Sequence, residues 1–92
     1  MRITFDPAKR DATLRDRGVD FQDASEVFAD RLFTTPDLRR DYPEPRFKSY
    51  GMWRGRMVVI IWTPIDEGRR IISMRKANDR ERQAFGQRLG VH

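Results

Sequence analysis

The sequence predicts an α+β domain: a small antiparallel β-sheet with helices packed on one side, two from the N-terminal half and one at the C-terminus. Three observations point there. Met57 to Trp62 is a continuous apolar, β-branched run, the pattern of a central strand covered on both faces. Alternating segments flank it, joined to it by tight turns at Arg54-Gly55 and around Gly68. Helix start and stop signals bracket this β-rich stretch on either side.

Met1 to Phe5 reads as a short strand with Ile3 and Phe5 on one face. Asp6-Pro7 starts a helix, because Asp6 can accept from free backbone N–H groups and Pro7 suits the first helical position. That helix runs to about Arg17, and Gly18 supplies the left-handed residue that ends it. Asp20 caps a second helix, whose buried stripe is Phe21, Ala24, Val27 and Phe28. Leu32 to Thr35 reads as an edge strand. Pro36 to Pro45 is a polar loop with a charged centre at Arg39, Arg40 and Asp41. Arg46 to Trp53 alternates as a strand. Pro64 ends the apolar strand, and Arg70 to Arg75 forms the third strand of the meander. Asn78 caps the last helix, with Glu81 three residues on in a capping-box arrangement.

The 92 residues suffice for one domain, 1–92, and not two. A chain of this length buries roughly 60–65% of its unfolded surface, so its stability margin is small. There is no cysteine, hence no disulfide and no thiolate site, which fits a reducing cytoplasm. The single histidine, His92, is the last residue, where fraying is expected. No apolar run reaches membrane-spanning length, and MRITFDP has no secretory apolar core. No membrane association and a cytoplasmic location are therefore expected.

Charge is segregated. Residues 1–45 carry eight Lys/Arg against ten Asp/Glu; residues 46–92 carry eleven against four. The halves therefore carry −2 and +7, which sum to the net +5. Such a patch is either a footprint for a polyanion, RNA first, or an ordinary solvated arginine-rich face. Strand alternation places Arg46, Lys48 and Tyr50 on one face, and Phe47, Ser49 and Trp53 on the other. It likewise places Arg70, Ile72 and Met74 opposite to Ile71, Ser73 and Arg75. Arg offers a planar fork for phosphate oxygens and Lys a point charge. Tyr50, Trp53 and Trp62 can stack unpaired bases, although Trp62 ends a buried strand and core packing also explains it.

No histidine pair, Cys/His dyad, metal-ligand cluster or glycine-rich phosphate motif is present, so no bound metal or other cofactor is expected. One reaction suits the remaining toolkit. RNA carries its own nucleophile, the ribose 2′-OH, and cations that orient it and stabilise the phosphorane promote cleavage. Proton transfer could fall to Glu81, Tyr50 or a lysine.

At this point the residues resemble a known family. Phe5, Asp6, Lys9, Gly18, Phe21, Ala24, Val27 and Phe28 are similar to the opening of BrnT-type bacterial toxins. Arg46, Gly51 and Thr63 match the middle. Arg70, Ile71, Ile72, Ser73, Arg75, Ala77, Glu81, Arg82 and Phe85 mirror the family's C-terminal signature. The resemblance spans nearly the whole chain. It implies a compact RelE-type ribonuclease fold and a metal-independent endoribonuclease toxin of a type II toxin–antitoxin pair that blocks translation. It also implies a BrnA-type ribbon-helix-helix antitoxin, in a heterotetramer that binds operator DNA. With the basic strands, it marks Arg46, Lys48, Arg75 and Glu81 as catalytic candidates. Tyr50, Trp53, Thr63, Arg70 and Lys76 are candidate RNA contacts.

Two positions depart from the family pattern. Arg17-Gly18 stands where many members carry His-Gly, and Pro64 and Ile65 stand where many carry an arginine; Arg69 or Arg70 is a possible substitute. Plainer roles compete at several sites. Glu81 can serve as a helix cap only, Ser73 as a small packing residue, and Arg75 as an ion-pair partner of Glu81 or Asp79. A non-catalytic RNA- or ribosome-binding module, or an obligate partner of a DNA-binding antitoxin, remains the alternative function.

Overall fold

The apolar run centred on Val58–Ile61 becomes the middle strand of a five-stranded sheet in the computed structural model, which describes residues 1–90. The expectation for His92 lies outside the described residues. In chain order the elements are β1 (Arg2–Thr4), α1 (Pro7–Arg17), a 3₁₀ turn (Phe21–Asp23) and α2 (Ala24–Phe28). Then come β2 (Phe33–Pro36), β3 (Phe47–Trp53), β4 (Arg56–Ile65), β5 (Gly68–Lys76), α3 (Asp79–Phe85) and a 3₁₀ turn (Gln87–Leu89). The strand order is β1-β5-β4-β3-β2.

The local signals act where they were read. Asp6 accepts from the Ala8 N–H at 2.9 Å, and Gly18 ends α1 at φ +71°. Asn78 and Glu81 exchange the reciprocal hydrogen bonds of a capping box at the start of α3. Asp20 caps the 3₁₀ turn rather than α2 itself, accepting from the Gln22 N–H. Pro64 does not end β4, which continues one residue further and has there outrun its neighbour β3.

The sheet is mixed, not antiparallel. β1 pairs parallel with β5, Arg2 opposite Gly68, while the other three pairings are antiparallel. The approach is close: a Cβ on Gly68 would collide with the Arg2 carbonyl oxygen. β1 is too short to cover all of β5, and α1 lies against the remaining edge. There Lys9 Nζ donates to the Ile72 carbonyl at 2.8 Å, occupying a strand edge that would otherwise be open.

The helices also lie on both faces of the sheet. On the first face Val19, Phe21, Ala24 and Val27 pack against Val58, Ile60, Ile71 and Met74. On the second face Phe85 of α3 and Leu89 pack against Tyr50, Met57, Val59 and Ile61. Every residue from Met57 to Ile61 is therefore buried, odd residues beneath α3 and even residues beneath α2.

β5 does not alternate strictly. Ile61 pairs with Ser73 but Trp62 pairs with Ile71, so Ile72 is an extra residue, a β-bulge. The bulge sends both Ile71 and Met74 to the first core, three residues apart. It also places Arg70, opposite Thr63, on the same face as Arg75, where simple alternation had separated them.

Candidate nucleic-acid interface

α3 covers only one end of the second face. The other end carries long polar side chains from β3 and β5. Lys48 stands opposite Ile61, which stands opposite Ser73; Tyr50 stands opposite Val59, which stands opposite Arg75. Arg75 is thus two strands from Tyr50, about 10 Å between backbones, a gap that long side chains close.

Arg75 and Glu81 form a two-point ion pair, Nη1–Oε1 at 2.7 Å and Nη2–Oε2 at 2.8 Å. Glu81 Oε1 also accepts the Asn78 N–H at 3.0 Å, so the helix cap holds the carboxylate that holds the arginine. The Arg75 hydrogen bond keeps Glu81 below the ordinary carboxylate range against the opposing effect of burial, and the Lys48 charge adds to it. Arg75 is raised in turn by the same bond. Burial pushes the Tyr50 phenol up, and the Glu81 charge pushes it further. The Tyr50 ring lies under Phe85, with centroids 4.3 Å apart, so it offers no free face to a base. Its hydroxyl makes no hydrogen bond to the described residues. None of their buried side-chain polar atoms lacks a partner, so this hydroxyl opens to solvent.

Two residues of the loop between β2 and β3 join the cluster. The Asp37 side chain is fully buried and receives both Nε and Nη2 of Arg39 at 2.8 Å. The Arg39 hydrogen bond lowers Asp37, with a smaller contribution from Lys48. Arg39 in turn adds positive potential at Arg75 and Tyr50. The sequence shows Arg39 only as one charge in a polar loop; no spacing signals its return over Lys48. Lys48 is the exception among these cations: it has no carboxylate within 4.0 Å among the described residues.

Arg46 lies outside this cluster but on the same side of β3. It lines a shallow cleft with Asp6, Lys9, Glu44, Thr63 and Arg70. Its guanidinium sits 4.0 Å from the Tyr42 ring centroid and 3.3 Å from Glu44. The Thr63 hydroxyl donates to the Pro45 carbonyl at 2.6 Å, which ties the loop end to β4. Arg70 is exposed and makes no ion pair among the described residues.

The structure thus brings together Lys48, Tyr50, Arg75 and Glu81, and sets Arg46, Thr63 and Arg70 beside them. It does not bring Trp53 or Lys76 there. Trp53 packs against the first core and donates Nε1–H to Asp23 at 3.1 Å. Lys76 stands opposite Val58, and its Nζ lies near Gly18 at the end of α1.

A family model described as the ribonuclease toxin BrnT of type II toxin–antitoxin systems matches residues 5–81. The chain belongs to this BrnT family. No curated protein matches it. The family match runs through every residue of the cluster and ends on Glu81. Membership gives this BrnT-family chain a toxin role, a ribonuclease activity and an antitoxin as partner. No helix among the described residues is long and apolar enough to cross a membrane.

Proposed function

We propose that this BrnT-family toxin is an endoribonuclease that uses the RNA's own 2′-OH, without a metal, to inhibit translation in the cytoplasm. The 2′ oxygen attacks the adjacent phosphorus, the P–O5′ bond breaks, and a 2′,3′-cyclic phosphate remains. Solvent water takes the 2′ proton, and the 5′ oxygen receives one from the Tyr50 hydroxyl. Tyr50 holds its proton at neutral pH, and although burial makes it a weaker acid, the 5′ oxygen becomes the more basic group as the P–O5′ bond breaks and takes that proton, which solvent then returns to Tyr50. Lys48 and the outward N–H groups of Arg75 stabilise the phosphorane charge. Arg46 and Arg70 hold flanking phosphates. Glu81, lowered and engaged through both oxygens, is a poor base; its role is to position Arg75.

The observation that carries this reading is the unpaired Lys48 ammonium beside a carboxylate-braced Arg75. A cation with no carboxylate in direct contact among the described residues, near a pre-aimed guanidinium, is matched to a dianionic transition state. The test is incubation of RNA with the purified protein in EDTA, reading the 3′ ends of any fragments. Cyclic phosphate ends support the reading, and Lys48→Ala should lower the rate about a hundredfold or more. Salt-dependent binding with intact RNA would instead make the domain an RNA-holding module. The partner reading extends the same way: a BrnA-type ribbon-helix-helix antitoxin neutralises the toxin in a heterotetramer that binds operator DNA. Co-purification and operator-binding measurements test it.

A further inference from the structure

Four arginines of this chain are partly buried: Arg10, Arg46, Arg69 and Arg75. Three have carboxylate partners, Asp20, Glu44 and Glu81 respectively. Arg69 has none within 4.0 Å among the described residues. It sits on the first face, at the end of the sheet that the five-residue α2 is too short to cover. There its guanidinium carbon lies 4.1 Å from the Phe28 ring centroid and 4.6 Å from that of Trp62. Phe28 meets Trp62 edge-on at 5.8 Å, and Phe47 packs on Trp62 at 5.0 Å. The corner is rigid: Trp62 Nε1–H donates to Ser49 Oγ at 2.8 Å, and Ser49 is in turn bonded to Thr34. Among the described residues the one side-chain acceptor Arg69 finds is the weakly accepting Met1 sulfur. Burial is the effect that acts on this cation, with no opposing charge from the described residues.

Arginine stacked on aromatic rings can simply shield apolar surface with its stem. That role does not require leaving a planar fork of donors without an acidic partner in a partly desolvated corner. Such a group has a charge-assisted site to offer, and tryptophan and arginine together are the residue types that anchor protein interfaces.

We propose that the corner formed by Phe28, Trp62 and Arg69 is a docking site for the antitoxin, taking the carboxylate of an antitoxin Asp or Glu on the Arg69 fork. Apolar atoms beside that carboxylate pack on Trp62 and Phe47. Charge complementarity selects the acidic side chain. RNA is disfavoured because a polynucleotide is tracked by successive cations, and this corner supplies a single guanidinium on the face away from Lys48 and Arg75. The inference rests on membership in a toxin–antitoxin family and not on the proposed cleavage chemistry.

The experiment measures the affinity of the antitoxin for wild-type and Arg69→Met toxin, with RNA binding by the free toxin in parallel. Methionine retains the apolar stem and removes the fork. The expected result is a loss of antitoxin affinity of about 10–100-fold with RNA affinity unchanged. Unchanged antitoxin affinity, or a loss confined to RNA, overturns the proposal. A second measurement needs no Arg69 variant. In Trp53→Phe protein Trp62 is the only tryptophan, and antitoxin binding should cut its quenching by acrylamide several-fold. Quenching that is the same in the free toxin and the complex overturns the proposal equally.

Discussion

Glu81→Gln separates a positioning carboxylate from a catalytic base. The amide keeps an oxygen to accept the Asn78 N–H, so the helix cap survives. It loses the two charge-assisted bonds to Arg75, at 2.7 and 2.8 Å. Glu81 is 13% exposed but Arg75 is 38% exposed, so solvent screening trims what these bonds contribute. The discounted loss is about 1–2 kcal/mol, which in a domain of this size lowers Tm by roughly 4–16 °C. The pH dependence has a definite sign. Glu81 is lowered in the folded protein, so its contribution is present above the ordinary glutamate range and disappears as pH falls through the lowered value. Urea denaturation of wild type and Glu81→Gln should therefore differ at pH 7 and converge in acid. In cleavage assays the variant should lose only part of the rate, because Arg75 remains in place but is less firmly aimed. A variant as stable as wild type at pH 7, a stability gap that widens in acid, or complete loss of cleavage by the folded variant would refute this reasoning.

Three further outcomes follow from the same geometry. Lys48→Ala should reduce RNA cleavage about a hundredfold or more while leaving Tm within a few degrees, since Lys48 makes no ion pair among the described residues; labelled-RNA kinetics and calorimetry read both. Asp37→Asn should destabilise by about 1 kcal/mol at neutral pH, because Arg39 loses its carboxylate partner while solvent around the 61% exposed Arg39 side chain screens the loss. That difference too should vanish in acid, as Asp37 is lowered, and urea titrations across pH check it. Gly51→Ala should cost about 1–3 kcal/mol in the same titration, since its Cβ would sit 2.6 Å from Val27 Cγ1 and 2.9 Å from Leu32 Cδ2.

The local signals of this fold were legible because they are short-range. Asp6-Pro7, Gly18 and the Asn78–Glu81 capping box each act over four residues or fewer, and each acts where it was read. What the sequence hid is long-range. The parallel pairing of β1 joins Arg2 to Gly68, and neither residue carries a sign of the other. The apolar stretch at Met57–Trp62 did imply cover on both faces, yet it could not say that α3 takes the face opposite to α2. The Ile72 bulge was invisible, since its β-branched side chain suits a regular strand, and with it went the placement of Arg70. Of the candidate site, Lys48, Tyr50, Arg75 and Glu81 are legible through alternation, charge and resemblance. Arg39 is not, because only the folded loop carries it to Arg75. Trp53 can stack a base by residue type, but its indole packs on the first core and donates to Asp23.

The central claim is that cations on the second sheet face drive RNA to cleave itself. Its most direct test is the chemistry of the 3′ ends produced by the purified toxin in EDTA. The expected fragments end in 2′,3′-cyclic phosphate and form far more slowly with folded Lys48→Ala and Arg75→Ala proteins. Intact RNA at high concentrations of folded toxin, or fragments ending in 3′-hydroxyl groups, would contradict it.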